Sequence, residues 1–183
     1  MAETQTVRRV PLAPKELGGG RTERLMPSAG YKYQTYPTKA YIEAIGSTLE
    51  ESLRFAGFGL ADMLHSRWSK LNSETRADDK QNTRWLDITL VKEKIRFQGT
   101  DETKLLRDWL RKVFLKSELE KTVCADFIIH PIRIENGVLL GEAELSGQRV
   151  LKLRERIQGK AKFHGLEIDW KNRRIQTSFF IDL

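Results

Sequence analysis

The sequence predicts an α+β protein in which a helical region and one amphipathic helix pack on a mainly antiparallel β-sheet, preceded by an extended basic arm. Three observations carry that reading. Apolar residues recur at helical spacing over 41–71 and again over 101–116. From Val123 onward they alternate with polar residues between turn signals. The first forty residues show neither period. The 183 residues therefore divide into an arm, 1–40, and a single domain, 41–183.

The arm holds Pro11, Pro14, Pro27 and Pro37 together with the Gly18-Gly19-Gly20 triplet. Its cations (Arg8, Arg9, Lys15, Arg21, Arg24, Lys32 and Lys39) outnumber Glu3, Glu16 and Glu23. Sparse apolar side chains and many breakers predict an extended segment that a partner would have to hold in place.

Over 41–71, Leu49, Leu53, Ala56, Leu60, Met63, Leu64, Trp68 and Leu71 form one stripe, and Ser47 with Glu50 reads as a capping box that starts a helix after Gly46. Gly57 and Gly59 each cost a helix about 1 kcal/mol relative to alanine. Close backbone packing, or a break between two shorter helices, accounts for them; with no strand before them they do not form a phosphate loop. Residues 72–82 carry no apolar side chain larger than Ala77 and predict a solvated loop. Leu86, Ile88 and Leu90, then Ile95 and Phe97, predict two strands, with a turn or bulge where the alternation slips across Lys92-Glu93-Lys94.

The helix from Asp101 to Lys116 is the clearest element. Thr100 can cap it, Asp101 and Glu102 sit at its positive end, and Leu105, Leu106, Trp109, Leu110, Val113 and Phe114 make one wide apolar face. Beyond it, strands are expected over 127–134, with Pro131 at an edge or bulge. Asn136-Gly137 predicts a hairpin, Ser146-Gly147 a second turn, and Lys171-Asn172-Arg173 a third that leads into Ile175–Ile181.

Composition limits the function. The net charge of +7 and isoelectric point near 9.6 favour an anionic partner. Apolar runs such as Phe127-Ile128-Ile129 fall far short of the ~20 residues a membrane span needs. No apolar stretch follows Arg8-Arg9, so a signal peptide is not expected. Cys124, the single cysteine, excludes an intrachain disulfide or a thiolate metal cluster. A cytoplasmic protein without a membrane contact is the expectation.

Two stretches are candidate binding surfaces. Between 149 and 174 stand Arg149, Lys152, Arg154, Arg156, Lys160, Lys162, Lys171, Arg173 and Arg174, against Glu155, Glu167 and Asp169. As a strand, 149–158 would show one apolar and one basic face, a phosphate track. As a helix it would scatter the cations and end at Gly159. The second stretch, Tyr31-Lys32-Tyr33-Gln34-Thr35-Tyr36, interleaves aromatic and basic residues, and Tyr41 follows. Such a segment suits a protein partner or stacked bases, or else it packs on its own domain.

Catalytic signals are weak. His65, His130 and His164 are scattered, no Gly-x-Ser-x-Gly elbow occurs, and Cys124 lies among apolar strand residues. Asp169-Trp170-Lys171, with Glu142 or Glu144, has the acid-x-Lys spacing of some metal-dependent nucleases. The preferred reading is a non-catalytic, nucleic-acid-binding subunit of a larger protein or ribonucleoprotein assembly. Its cations at 149–174 would meet phosphates, and its arm, with Tyr31, Lys32, Tyr33 and Tyr36, would dock on other subunits. It needs no cofactor and no metal. A scaffold without nucleic-acid contact and a nuclease centred on Asp169 are the alternatives.

Overall fold

The computed structural model describes residues 29–75, 88–150, 162–171 and 173–182. In chain order these form β1 (Gly30–Thr35), β2 (Lys39–Gly46), α1 (Leu49–Thr75), β3 (Ile88–Gly99), α2 (Glu102–Glu118), β4 (Thr122–Ile129), β5 (Arg133–Glu135), β6 (Val138–Val150), β7 (Phe163–Lys171) and β8 (Arg174–Asp182). The expected α+β class is what forms, with two antiparallel sheets in place of one. The first runs β1-β2-β8-β7; the second runs β3-β6-β4, with β5 on the far part of β6. Both helices touch both sheets, so the core lies around the helices and each sheet turns one face outward. Among the described residues no helix is long and apolar enough to cross a membrane.

Residues 30–46 depart most from expectation. The last part of the predicted arm and the first part of the predicted helix pair as a hairpin, from Gly30↔Ile45 to Thr35↔Ala40. Ala40, Ile42 and Ala44 point into the core while Lys39 and Tyr41 point out, a period of two that belongs to a strand. Tyr36 N–H closes the turn on Lys39 O at 2.7 Å. The arm assignment for residues 1–28 lies outside the described residues.

The first helix starts one residue later than the predicted capping box. Thr48 Oγ1 accepts from Glu51 N at 3.2 Å, and the Glu51 carboxylate accepts from Ser47 N at 2.6 Å. Thr48 is thus the N-cap, and the Glu51 carboxylate reaches one residue further back than in a capping box, to the N–H of Ser47. Leu53, Ala56, Leu60, Met63 and Leu64 are buried as expected; Trp68 and Leu71 fall outside the residues whose side chains are described. The helix is continuous through its glycines, which are there for close approach. A Cβ at Gly57 would sit 2.8 Å from the Trp109 indole, and one at Gly59 would sit 2.8 Å from Ile42. It also runs on to Thr75, so the expected loop begins no earlier than 76.

Where two strands with a turn or bulge between them were expected, β3 is one strand of twelve residues paired without interruption from Ile88↔Val150 to Gly99↔Leu139. Val91, Ile95 and Phe97 are buried and share a face with Glu93, whereas Leu90 is 80% exposed. The alternation never slips; a carboxylate occupies a core-side position because Lys116 and Arg149 meet it there. Ser146-Gly147 is likewise no turn. Gly147 lies within β6 opposite the bulge at Cys124/Asp126, where a Cβ would come within 2.4 Å of Val123 O.

The expected second helix and the Asn136-Gly137 hairpin both form, with a different cap on the helix. Asp101, not Thr100, caps α2, accepting from Lys104 N at 2.8 Å. Leu105, Leu106, Trp109, Leu110, Val113 and Phe114 are buried. Asn136 and Gly137 take the positive φ values (50° and 76°) that a tight hairpin requires.

Candidate functional site: the open face of the first sheet

The outward face of the first sheet is built by register. Tyr41 on β2 stands opposite Phe180 on β8, and Phe180 stands opposite His164 on β7, while Gln34 on β1 faces Tyr41. One row of side chains thus crosses all four strands. The Tyr41 and Phe180 rings are 4.9 Å apart at 47°, and the His164 and Phe180 rings are 5.6 Å apart and nearly parallel at 11°. Lys39 lies beside the row, its Nζ 5.2 Å from the Phe180 centroid and 5.8 Å from that of Tyr36.

Two of the acids on this face have local contacts, while the exposed Glu167, opposite Ser178, forms no ion pair among the described residues. Glu43 takes Lys32 Nζ at 3.0 Å and lies 3.4 Å from the Tyr41 hydroxyl. Asp182, opposite Lys39 in the register, lies 3.7 Å from His164 Nδ1. Burial pushes the Tyr41 phenol above its ordinary value, and the Glu43 carboxylate adds to the shift, so the ring stays neutral at physiological pH. Asp182 N–H donates to Lys162 O at 3.1 Å, which brings the Lys162 backbone to the same end of the sheet.

The predicted nucleic-acid residues separate. Lys152, Arg154, Arg156 and Lys160 lie outside the described residues, which leaves the strand-or-helix question for 149–158 with them. Arg149 is turned inward, its Nη2 donating to Glu120 at 2.6 Å and Glu93 at 3.0 Å. Lys171 donates to Asp169 at 2.6 Å. Lys162 and Arg173 are exposed and Arg174 is half-buried. The tyrosine segment also divides. Tyr31 packs on Phe58 and its hydroxyl bonds Asp62, so it works inside the fold; Lys32 is held by Glu43. Tyr33 and Tyr36 are exposed.

The acid-x-Lys triplet closes on itself through the Asp169–Lys171 pair, and Glu142 and Glu144 stand on the other sheet. Among the described residues, no three His, Cys, Asp or Glu side chains are grouped so as to hold a metal ion. The Cys124 thiol is buried, and burial pushes its pKa up to about 11, which makes it a poor nucleophile. Sequence reasoning missed Phe180, His164, Lys39 and Tyr41 as a group. The available signal was the alternation Lys39, Tyr41, Glu43 against Ala40, Ile42, Ala44, which the small alanines obscure.

Comparison with known proteins follows the same architecture. The solution structure of Methanobacterium thermoautotrophicum protein 1598 superposes with a TM-score of 0.61 at 18% identity, covering 84% of this chain and 99% of that one. At that identity the likeness establishes the fold. No curated protein sequence matches the chain. The model of the Archease protein family matches residues 31–183, from the first tyrosine of β1 to the final residue, and the chain therefore belongs to the archease family.

Proposed function

We propose that this protein is a non-catalytic RNA-processing factor that assists an RNA ligase and contacts the RNA itself. The observation that carries the reading is family membership across residues 31–183, archease being a modulator of RNA ligation and not itself a ligase. The basic balance of +7 supports an RNA contact, because cations that neutralise phosphates release condensed counterions. The residues proposed for that contact are the cations at 149–174 that no acid holds in the described part, Lys162 and Arg173, with Lys152, Arg154, Arg156 and Lys160. Arg149 serves the fold first through its part-buried ion pairs, and Lys171 is held by the exposed carboxylate of Asp169. The chain preceding Gly30 is proposed to hold the protein in its assembly.

The test is ligation of a broken RNA by an RNA ligase with and without this protein. Addition should raise ligase turnover, while the protein alone should neither join nor cleave RNA in Mg²⁺ or Mn²⁺. Filter binding to single-stranded RNA should weaken with salt by a log–log slope of about −0.7 per neutralised phosphate. Unchanged ligase turnover, with no retention of RNA at low salt, would remove the reading. Retained stimulation without RNA binding would favour a purely protein-protein role.

A further inference from the structure

Phe180 is the centre of an aromatic row on the outward side of the first sheet, where Tyr41 and Phe180 are half-buried and His164 is exposed. Buried aromatics such as Phe97, Trp109 and Phe127 point inward and pack on one another, and the buried Phe179 packs on Phe163. Tyr41, Phe180 and His164 instead share the outward face of an open four-stranded sheet. Phe180 and Tyr41 stand on β8 and β2, the two central strands. Aromatic side chains placed there on an open four-stranded sheet are the arrangement on which unpaired bases stack. Neighbouring strands are about 4.8 Å apart, so the three rings stand as cross-strand neighbours, His164 nearly parallel to Phe180 and Tyr41 tilted by 47° from it.

We infer that the Tyr41–Phe180–His164 row is a stacking platform for an unpaired base of single-stranded RNA, with Lys39 taking the adjoining phosphate. The inference rests on the RNA-contact part of the proposed function and names the form of RNA that the site accepts. Lys39 now covers Phe180 as a cation over a ring. A lysine holds this position through a flexible stem, so a base can displace the ammonium from the ring and leave it within reach of the backbone. Charge on this face is mixed: Glu43 is paired with Lys32, Asp182 lies 3.7 Å from His164 Nδ1, and the exposed Glu167, opposite Ser178, forms no ion pair among the described residues. Lys39 and Lys162, at the Asp182 end of the sheet, likewise form no ion pair among the described residues. A duplex offers no free base face, so the platform selects single strands. Because every base has a π-face, it is tolerant of sequence.

The experiment uses the full chain and a short unstructured RNA carrying one 2-aminopurine, whose fluorescence falls when it stacks. Binding should quench the probe, and a duplex of the same sequence should bind more weakly. Phe180→Leu, checked for folding by circular dichroism, should weaken binding on the order of tenfold, the effect of losing a stacked base. His164→Ala, at an exposed position, should weaken it less. Lys39→Ala should reduce the salt slope by about 0.7, one phosphate on a single strand. Binding with an unquenched probe, or with wild-type affinity in Phe180→Leu and His164→Ala together, would place the RNA elsewhere. The platform would then be wrong while ligase stimulation and RNA binding stood. Absence of any RNA binding would overturn the platform together with the RNA contact, and the ligation assay would show whether the ligase role survives.

Discussion

The two sheets are alike in their hydrogen bonding and opposite in what they offer to solvent. On the outward face of β3 stand Lys92, Lys94 and Arg96, and across from them β6 supplies Glu144 and Glu142. The pairs close at 3.7, 3.4 and 3.3 Å, and His130 adds a contact to Glu144 at 3.6 Å. Hydrogen bonds from Arg96 and Lys94 hold the Glu142 carboxyl below its ordinary range. The charges on this face pair with one another beside the exposed Leu90 and Ile128, and its charged edge strand discourages pairing with another chain. The first sheet has Tyr41, Phe180 and His164 at the corresponding outward positions, with Lys39 over the ring. Cross-strand neighbours are the unit of sheet energetics. Choosing opposite charges closes a face, and choosing adjacent rings leaves one able to receive a flat partner.

The comparison holds only if both faces belong to one cooperative body, and Trp109 is the place to break it. Its ring packs on Phe97 and Phe127, and Nε1 donates to Leu53 O at 2.7 Å, tying α2 to α1. Trp109→Ala should cost about 3–5 kcal/mol. Urea unfolding followed by tyrosine fluorescence and by circular dichroism should stay coincident while its midpoint falls. Two separated transitions would mean that the sheets unfold as independent units.

Much of that core was legible. The α2 stripe is self-sufficient in sequence because six large apolar residues fall on one helical face, and the Asn136-Gly137 turn announces itself through backbone requirements alone. The missed elements depended on partners distant in the chain. Residue Glu93 looks like a break in alternation until Lys116 and Arg149 are brought beside it. Gly147 looks like a turn until the bulge in β4 is placed against it. The aromatic row combines positions 41, 164 and 180, and no local period can align three strands so far apart. The cations at 149–174 were visible as a cluster, but their division between fold and surface was not, since Glu93 and Glu120 lie far upstream of Arg149.

The next largest effect concerns Glu93, the one acid on the inward side of β3. A hydrogen bond from Lys116 is the leading cause that holds its carboxyl below the ordinary 4.5, with Arg149 adding to it. Burial would lower the Lys116 pKa, but its hydrogen bonds to Glu120 and Glu93 outweigh that and raise it above 10.5. The signs follow. The carboxylate's contribution is present above about pH 4.5 and is lost as pH falls through the lower folded value. The ammonium's contribution is present below about 10.5 and is lost as pH rises through the higher folded value. Glu93→Gln should cost roughly 1–2 kcal/mol near neutrality, more than an exposed pair and less than a fully buried one. It should also flatten the acid limb of stability against pH. An acid limb as steep as wild type would show that the inward ion cluster does not distinguish the second sheet.

The smallest effect is the most informative about the two faces. Lys94 and Arg96 are well exposed, at 67% and 86% of their side-chain surface, so their pairs with Glu142 are solvent-screened. The double variant Lys94→Ala, Arg96→Ala should leave the urea midpoint where it is in wild type. It removes two cations from the protein, as many as any pair of substitutions in the proposed RNA contact. If RNA affinity followed net charge alone, it would lower the salt slope as far as losing two phosphate contacts does. If RNA is held on the first sheet, the slope should be unchanged, because these cations neutralise Glu142 and not phosphate. A slope that dropped by about 1.4, two single-strand phosphates, would move the RNA to the second sheet and invert the assignment of the two faces.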